Sequence, residues 1–367
     1  MTTPTFNISV LKGDGIGIDV TASAIAVLQA ATKRVGGFEL VYDYLKAGAA
    51  YYEETGVDID PKSERSMALA DAIFIGAIGL PHVRYPDNTE ISLHLRIREN
   101  LQLYAGVRPV KAYPNTPQRL IHTDARKIDL VVLRESSEGL FYTAAVHNRN
   151  EVYNDNEVRE TLRITRPTTE KLHDFAFRLA TKRKQMGGQG LVTCVDKANV
   201  FRSIALFRKI FDERAQNNPK IKTSYRYIDA LALDLIRCPW EFDVLVMENI
   251  FGDIISDLAG GLVGGMGIAS CAEIGDNHGL FQPAHGSAPD IQGQNRANPL
   301  AAILSGALML DYLEERSQVT ALGDAAKLIE SAVDRGFDQA RIRPDEFGGD
   351  QGTIAVTNTV IELLHEA

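Results

Sequence analysis

A continuous apolar stretch that runs straight into a helix is the feature that most constrains this chain. Residues 242–247 are apolar apart from one aspartate, and residues 248–261 continue with a helical pattern that ends in two glycines. Such a run is typical of a strand buried on both faces of a parallel sheet, and parallel strands are joined by helical crossovers. The pattern predicts an α/β fold with a functional site at the carboxyl end of this strand.

Two carboxylates follow that strand one helical turn apart. Asp253 and Asp257 are separated by four residues, so a helix places both on one face. A like-charge pair at this spacing costs roughly 0.2–0.5 kcal/mol, and nothing nearby in the sequence neutralises it. A bound cation is the simplest remedy, and oxygen ligands with room for water suit Mg²⁺ or Mn²⁺ rather than Zn²⁺. The alternative is a helix-start aspartate beside an unrelated, solvated one.

Length and composition limit the classes of protein. The 367 residues exceed one typical core, which predicts two domains or one large α/β unit with an inserted lobe. The net charge of −9 gives no electrostatic reason to expect nucleic acid or an anionic membrane as partner. The three scattered cysteines suit a reducing cytoplasm. No signal peptide and no apolar run of about 20 residues is visible, so we expect a cytoplasmic protein without a membrane span.

A glycine-rich turn lies near the start of the chain. Residues 13–17 read Gly-Asp-Gly-Ile-Gly, between a short strand and a helix predicted over about 19–33. The spacing lacks the third glycine of the dinucleotide fingerprint, and no acidic residue stands clearly at the end of a second strand. A tight strand-to-helix turn is the simpler interpretation.

Several charged residues are candidates for ligand binding: Arg98 lies on a predicted helix over residues 91–103, Arg108 follows it, and Arg134 ends a predicted strand. Arg98, Arg108 and Arg134 could each grip a carboxylate with two hydrogen bonds, although any single one could be an ordinary surface charge. Lys197 follows a predicted strand and opens a helix, where a general base could act. Asp229 opens another helix in the same way.

Two further segments have patterns of their own. Residues 140–164 alternate without a helical period, which predicts a β-ribbon with little core of its own that packs on a second copy of the chain. Residues 280–291 combine small residues with His285 and Asp290, and Asn298 precedes the next predicted helix. Such a loop could hold an adenosine, with the aspartate accepting from ribose hydroxyls.

Taken together, these motifs closely resemble those of the β-decarboxylating dehydrogenases, which include the isocitrate, 3-isopropylmalate, homoisocitrate, tartrate and D-malate dehydrogenases. The resemblance spans almost the whole chain in order and is carried by residues 13–17, Arg98, Arg108-Pro109, Arg134-Glu135, residues 196–199, residues 249–257 and residues 285–290. So long a colinear set is far more specific than any one of its members.

The resemblance implies a two-lobed, non-Rossmann α/β fold in which cofactor and substrate share a cleft. Residues 1–103 and 264–367 would form a large cofactor-binding lobe. Residues 104–263 would form the second lobe, with a dimerisation arm at about 140–165 and the metal acids. In this family the partner subunit offers the lysine and one of the metal acids, so a homodimer with shared active sites is expected.

The resemblance also assigns roles to residues of this chain. It implies a substrate site of Arg98, Arg108, Arg134, Ser92 and His94; a metal site of Asp229, Asp253 and Asp257; catalytic roles for Lys197, Tyr142 and Asp229; and a cofactor site of His285, Gly286, Ser287, Ala288, Asp290 and Asn298. Asp290 would repel a 2′-phosphate and so favour NAD over NADP.

Two departures from the family pattern bear on mechanism and substrate. Phe141 stands where the family has a proton-donating tyrosine, and a bend near Gly139 could turn Tyr142 towards the cleft instead. On the helix that selects the substrate, His94 and Leu95 replace the apolar leucine pair of isopropylmalate enzymes, while Ser92 resembles the isocitrate enzymes.

The predicted function is therefore NAD-dependent and Mg²⁺- or Mn²⁺-dependent oxidative decarboxylation of a 3-substituted (R)-malate. The small hydroxy-acid substrate stays open between the 3-isopropylmalate, isocitrate and tartrate or D-malate types. The alternative is a non-catalytic regulatory subunit, suggested by Phe141. The presence of all three metal acids, the lysine and the arginines favours the enzyme.

Overall fold

The computed structural model describes residues 3–144 and 152–366, which form an α/β structure built on one large mixed sheet. The strands are β1 (Thr5–Leu11), β2 (Glu39–Tyr44), β3 (Ala72–Ile75), β4 (Ala105–Lys111), β5 (Asp129–Glu135), β6 (Val152–Tyr153), β7 (Val158–Arg159), β8 (Leu191–Asp196), β9 (Lys222–Tyr227), β10 (Val244–Met247), β11 (Ser270–Ile274) and β12 (Gly279–Pro283). The helices are α1 (Ile16–Val35), α2 (Ala49–Thr55), α3 (Pro61–Met67), α4 (Leu93–Asn100), α5 (Phe141–Ala144), α6 (Arg166–Gln185), α7 (Arg202–Gln216), α8 (Ile228–Arg237), α9 (Asn249–Leu262), α10 (Leu300–Ser317), α11 (Thr320–Asp338) and α12 (Thr353–His365).

The large sheet has the strand order β2-β1-β3-β12-β11-β4-β5-β10-β8-β9. Strands β11 and β4 pair antiparallel with each other and with their outer neighbours β12 and β5, while the remaining pairs are parallel. This order matches neither of the common doubly wound patterns. The structure thus confirms the predicted non-Rossmann α/β class.

The predicted strand-to-helix unit is confirmed at β10 and α9. All four residues of β10 are buried, and the side chain of Glu248 accepts a hydrogen bond from the backbone N–H of Phe251 in the first turn of α9. The one charged residue of the apolar run, Asp243, accepts a hydrogen bond from Arg183 Nε at 2.5 Å. A buried carboxylate with such a partner is compatible with a strand in the core.

Helices cover the sheet, and α1, α10, α11 and α12 pack against one another beside the strands formed by the two ends of the chain. α10 is buried on almost all sides, as a central helix of a large core should be. None of the helices described is both long and apolar enough to cross a membrane.

The glycine-rich turn after β1 is the predicted tight turn, and it holds two loops together. A Cβ atom at Gly13 would lie 2.1 Å from the carbonyl oxygen of Ala77, and one at Gly15 would lie 2.0 Å from that of Ser287. Both glycines have positive φ angles, 77° and 55°, so glycine is required on two grounds. Between them, the Asp14 carboxylate accepts backbone hydrogen bonds from Ala49, Ala50 and Gly79.

The predicted β-ribbon is only partly present. β6 and β7 pair antiparallel, as a ribbon requires, but the segment begins with the helical turn α5 instead of a strand. The chain turns at Gly139, whose φ is 69° and whose backbone exchanges hydrogen bonds with Arg163. The prediction of extended structure from residue 140 onward is therefore wrong at its start. Residues 145–151 of the predicted arm lie outside the described residues.

Candidate active site

The parallel strands β5, β10, β8 and β9 end at one edge of the sheet, because parallel neighbours share a direction. Arg134 lies at the end of β5, and Asn249 follows β10. Lys197 and Asp229 follow β8 and β9. The sequence therefore delivers most of the predicted polar residues to one side of the molecule.

A buried charge cluster occupies the face of the sheet where β11, β4 and β5 lie side by side. Glu273, Gly106 and Arg134 are in register on these three strands. Gly106 has no side chain between its two charged neighbours, and a Cβ there would lie 3.0 Å from Glu273 Oε2. From α4, Arg98 Nη2 donates to Glu273 Oε1 at 2.8 Å, and both side chains are buried. We call Arg98, Arg108, Arg134 and Glu273 the arginine cluster.

Helix α9 lies against this cluster and brings the two aspartates to it. Arg108 Nη1 donates to Ser256 Oγ at 2.8 Å. The same guanidinium lies 3.8 Å from Asp253 Oδ1 and 3.6 Å from Asp257 Oδ1. Arg134 Nη1 also donates to Asp253 Oδ1. No residue close in sequence neutralises the aspartate pair, but arginines from β4 and β5 supply the countercharge.

Close backbone approach makes this arrangement possible. A Cβ atom at Gly252 of α9 would lie 2.6 Å from the Cβ of Arg134, so only glycine fits between the helix and β5. One turn earlier, Asn249 Oδ1 accepts from Arg134 Nε at 2.8 Å. The Arg134 guanidinium is thus fixed in direction by α9.

Burial and mutual repulsion shift the proton affinities of the cluster. Burial lowers the pKa of Arg134 to about 10, and the charges of Arg108 and Arg98 act in the same direction. Burial alone would raise the pKa of Glu273, but the three arginines outweigh it and lower the pKa below its usual value. Burial raises the pKa of Asp257, with Arg108 acting against it. The arginine cluster therefore carries an excess of positive charge, which Asp253 and Asp257 on α9 offset.

A cavity of about 220 Å³ opens in front of the cluster. Its wall includes His94, Leu95, Arg98, Arg108, Arg134, Phe141, Asp253, Asp257, Gln282, His285 and Gly286. Burial, together with Arg98, Arg134 and Arg108, lowers the pKa of His94 to about 3, so its imidazole is neutral at pH 7. Ser92 directly precedes α4 and does not belong to this wall in the part of the chain that the structure describes.

Lys197 and Asp229 form a separate pair. Lys197 Nζ donates to Asp229 Oδ1 at 2.5 Å, and this hydrogen bond lowers the pKa of Asp229. The Asp229 side chain is 67% exposed, and neither residue lines the cavity. Within residues 3–144 and 152–366, no three His, Cys, Asp or Glu side chains are close enough to hold a metal together. A single chain thus joins Asp253 with Asp257 but leaves Asp229 apart from them.

The two aromatic residues near Gly139 have the reverse of the predicted orientation. Phe141 lines the cavity, with the Arg134 guanidinium 4.8 Å from its ring centre. The ring of Tyr142 lies under the Arg163 guanidinium, at 3.8 Å. The bend at Gly139 exists, but the helical turn after it places Phe141, and not Tyr142, on the cavity wall of this chain. The catalytic role of Tyr142 stays a prediction.

The predicted cofactor loop lies between the cavity and the glycine-rich turn. Ser287 Oγ donates to the carbonyl of Gly79 at 2.5 Å, and Ala288 adopts a left-handed conformation with φ of 33°. Burial lowers the pKa of His285, whose Nε2 is buried without a hydrogen-bond partner. No atom lies within 4 Å of a Cβ position at Gly286, so space is open beside the backbone there.

Two other predicted cofactor residues, Asp290 and Asn298, differ in exposure and in the hydrogen bonds that their side chains make. Asp290 is exposed on the turn after Pro289. Asn298 is buried, and its side chain donates to Glu346 Oε2 at 2.8 Å and accepts from the backbone N–H of Leu300. Asn298 therefore anchors the start of α10 with the same groups that a ligand would need.

Sequence reasoning missed Glu273. The signal was present, because a single charged residue stands in the otherwise uncharged strand Ser-Cys-Ala-Glu-Ile, and a buried carboxylate requires a cationic partner. Which arginine would be that partner could not be deduced, since Arg98, Arg108 and Arg134 all lie more than a hundred residues away in sequence.

Comparisons with known proteins identify the family of this chain. The sequence profile of the isocitrate/isopropylmalate dehydrogenase family matches residues 7–364. The chain is 39% identical over 360 residues to a 3-isopropylmalate/3-methylmalate dehydrogenase of Methanocaldococcus jannaschii, covering 98% of this chain and 99% of the relative. It is 35% identical over 373 residues to a 3-isopropylmalate dehydrogenase of Aquifex aeolicus, covering 98% and 97%.

Solved structures show the same fold. The isocitrate dehydrogenase of Methylococcus capsulatus superposes with a TM-score of 0.84 at 32% identity, over 98% of this chain and 99% of that one. A β-decarboxylating dehydrogenase of Thermococcus kodakarensis, in its apo form, superposes with a TM-score of 0.78 at 33% identity, over 98% and 96%. This chain therefore belongs to the isocitrate/isopropylmalate dehydrogenase family and is an oxidoreductase that acts on a CH–OH group.

Proposed function

We propose that this enzyme catalyses the NAD-dependent, divalent-metal-dependent oxidative decarboxylation of a 3-substituted (R)-malate. The observation that carries the proposal is that three arginines and the two carboxylates of α9 line the same cavity. Cations that can bind substrate carboxylates and oxygen ligands that can bind a metal are the two parts that this reaction needs. The names of the relatives, 3-isopropylmalate and 3-methylmalate dehydrogenases, support this class of substrate.

The arginine cluster is suited to bind the malate part of the substrate. Arg98, Arg108 and Arg134 line the cavity from three different elements, α4, β4 and β5, so their directions are fixed by the fold. Fixed guanidinium groups in a buried setting bind carboxylates with little loss of side-chain entropy. We propose that these three residues hold and orient the carboxylates of the substrate.

Asp253 and Asp257 fit a divalent cation. They are partly exposed, lie one turn apart on α9 and both border the cavity, and such a pair of oxygen ligands leaves positions for water and substrate. Asp229 would be the third carboxylate, and because its own chain pairs it with Lys197, we propose that it comes from the partner subunit. A bound Mg²⁺ or Mn²⁺ would polarise the 2-hydroxyl and the adjacent carboxylate.

The loop of residues 285–290 fits a dinucleotide. It offers open space at Gly286, the unpartnered Nε2 of His285 and the exposed carboxylate of Asp290. Bound NAD would accept the hydride, and Asp290 would accept from ribose hydroxyls and disfavour a 2′-phosphate. Because the side chain of Asn298 is engaged with Glu346 and α10, we propose only a supporting role for it.

Lys197 is the proposed residue that takes the proton of the substrate hydroxyl. It does not line the cavity of its own chain, which agrees with a shared site in a homodimer. The surface around the Lys197–Asp229 pair supports such a dimer, because it exposes large apolar side chains: Val200, Phe201, Leu233, Ile236 and Ile254. The arm, β6 and β7, would add to the same contact.

We further propose that residues 1–103 and 264–367 form one lobe and residues 104–263 the other. The strand order supports this division, since each lobe contributes five contiguous strands to the large sheet, and among the described strands the two sets adjoin at the β11–β4 pair. The cavity lies at this junction, so movement of the lobes would open and close it. The free thiols of Cys194, Cys238 and Cys271 agree with a cytoplasmic enzyme. A non-catalytic subunit is not favoured, because the relatives are dehydrogenases and the charged residues of the site are retained.

The proposal is tested by NADH absorbance with purified protein, Mn²⁺ and a panel of 3-isopropylmalate, 3-methylmalate, isocitrate, tartrate and D-malate. We expect turnover on at least one substrate, and a fall in kcat of about 10²–10⁴-fold in Lys197→Met, the usual contribution of a positioned acid or base. Lys171→Met is the matched control, because Lys171 also pairs with an aspartate at 2.5 Å but lies on another surface. Absence of turnover on the whole panel, or equal effects of the two variants, would contradict the proposal.

A further inference from the structure

The cations next to the substrate cavity already have carboxylate partners in the protein itself. Arg98 pairs with the buried Glu273 at 2.8 Å. The other arginine of α4, Arg96, forks the carboxylate of Asp58 with hydrogen bonds of 3.0 and 2.8 Å. α4 therefore carries two arginines, and both are compensated by residues from other elements.

The rest of the cavity wall near α4 is uncharged. His94 is neutral at pH 7, and Leu95 and Ile78 are apolar. Arg98 differs from Arg108 and Arg134 in the burial of its carboxylate partner: Glu273 is fully buried, whereas Asp253 and Asp257, the partners of the other two arginines, are partly exposed at the cavity. A substituent that points towards α4 meets uncharged side chains and Arg98, whose charge is already balanced by Glu273.

Glu273 is placed to act on the substrate through Arg98. It is fully buried, does not line the cavity, and lies in register with Gly106 and Arg134 on the neighbouring strands. A buried charge is screened little by salt or water, so its repulsion reaches a ligand more strongly than that of a surface carboxylate would.

We propose that Glu273 sets the charge of the substrate that this enzyme accepts, favouring dicarboxylates with an uncharged substituent at C3 over tricarboxylates. The inference rests on the proposed function and names the substrate class within it. A third carboxylate near α4 would be repelled by Glu273 and would find no uncompensated cation there. Glu273 is a positioning residue, since it acts through Arg98 and does not touch the substrate.

The test compares 3-isopropylmalate or 3-methylmalate with isocitrate, in the wild-type protein and in Glu273→Gln. In the wild type we expect kcat/KM to favour the dicarboxylate by at least about 100-fold, because unfavourable juxtaposition of like charges costs several kcal/mol. In Glu273→Gln, which keeps the shape and one hydrogen-bond acceptor, this ratio should fall by about tenfold or more, mainly through a lower KM for isocitrate. Isothermal titration of the two substrates, without turnover, should show the same change in relative affinity.

Two further variants serve as controls. Asp58→Asn removes the negative charge that faces Arg96, which does not line the cavity, and should leave the substrate ratio unchanged. Glu273→Asp keeps the charge and should keep the preference, which separates the effect of charge from that of side-chain loss if Glu273→Gln folds poorly.

The outcomes distinguish this inference from the proposed function. Turnover of isocitrate by the wild type as efficient as that of the dicarboxylates would overturn the inference while leaving the oxidative decarboxylation intact. An unchanged ratio in folded Glu273→Gln would remove the role from Glu273. Failure on every substrate of the panel would reject the proposed function itself.

Discussion

The arginine cluster and the Lys197–Asp229 pair are both ionic, but the fold treats them in opposite ways. The cluster is enclosed between β11, β4, β5 and α9, and Arg98, Arg134 and Glu273 are almost completely buried. The pair lies at the outer edge of the sheet, with the Asp229 side chain two-thirds exposed. The charged groups of the cluster all find partners within a single chain, whereas Lys197 and Asp229 are joined to each other by one hydrogen bond.

This difference indicates how the two regions contribute. Buried ionic groups are fixed by their neighbours and lose much stability when one partner is removed. An exposed ion pair contributes about 0–1 kcal/mol and is easily rearranged when another surface covers it. The cluster is therefore part of the folded structure of one chain, and the pair is available to another surface.

The largest expected effect is that of removing Arg134. In Arg134→Met, Asp253 and Asn249 lose a hydrogen-bond donor beneath α9, while the repulsion of Arg134 by Arg98 and Arg108 is relieved. The free energy of unfolding should therefore fall by about 1–3 kcal/mol, the usual cost of leaving buried hydrogen-bonding groups without a partner. Lys197→Met should change it by no more than about 0.5 kcal/mol. Urea denaturation of both variants measures the contrast, and equal losses would show that the two regions do not differ as the structure indicates.

A control separates stability from function in that experiment. Arg183→Met breaks another ion pair with a buried carboxylate, Asp243, away from the substrate site. The Arg183→Met substitution should destabilise the protein, but the folded variant should retain its kcat. Folded Arg134→Met should lose kcat. Loss of kcat in both would mean that turnover follows stability alone.

The next effect concerns the partner that the exposed pair requires. If Lys197 serves the cavity of the partner subunit, then Lys197→Met and Asp253→Asn damage the two active sites of a dimer from opposite sides. Dissociating and reassociating a mixture of the two inactive proteins should restore about a quarter of wild-type activity, since half of the dimers are hybrids with one intact site. As a control, a mixture of Lys197→Met with the double variant Lys171→Met/Lys197→Met should restore no activity, because both proteins lack Lys197. No recovery in the first mixture, with hybrid dimers demonstrated by mass spectrometry, would place Lys197 in the site of its own chain.

The parts of the fold and of the candidate site that could be predicted from the sequence are those determined by contacts between residues close in sequence. β10 and α9 were predictable because the apolar run, the helical period and the spacing of Asp253 and Asp257 all lie within twenty residues. The turn at residues 13–17 was predictable for the same reason, since its glycines are required by the local chain path.

Contacts between distant segments were not predictable from pattern. The countercharges of Asp253 and Asp257 come from β4 and β5, and Glu273 meets Arg98 only because an antiparallel strand is inserted in the middle of the sheet. The orientation of Phe141 and Tyr142 was not predictable from the pattern for a different reason. Alternation in a short segment predicts strand faces, whereas the chain forms one helical turn there, in which neighbouring side chains diverge by about 100° instead of alternating.

The smallest effect is expected at Tyr142. Its ring stacks on Arg163 and Phe141 occupies the cavity wall, so Tyr142→Phe should leave kcat within about threefold, as substitutions away from the reacting groups usually do. Phe141→Tyr is the matched variant, because it brings a phenol beside Arg134, whose positive charge favours loss of the proton. It should raise kcat if protonation of the product limits turnover, and pre-steady-state measurement of NADH release checks whether that step does.

A fall of about 10²–10⁴-fold in Tyr142→Phe with KM unchanged would identify Tyr142 as the acid after all. Such a result would mean that the helical turn at residues 141–144 is replaced by the predicted ribbon when the second chain covers the exposed pair.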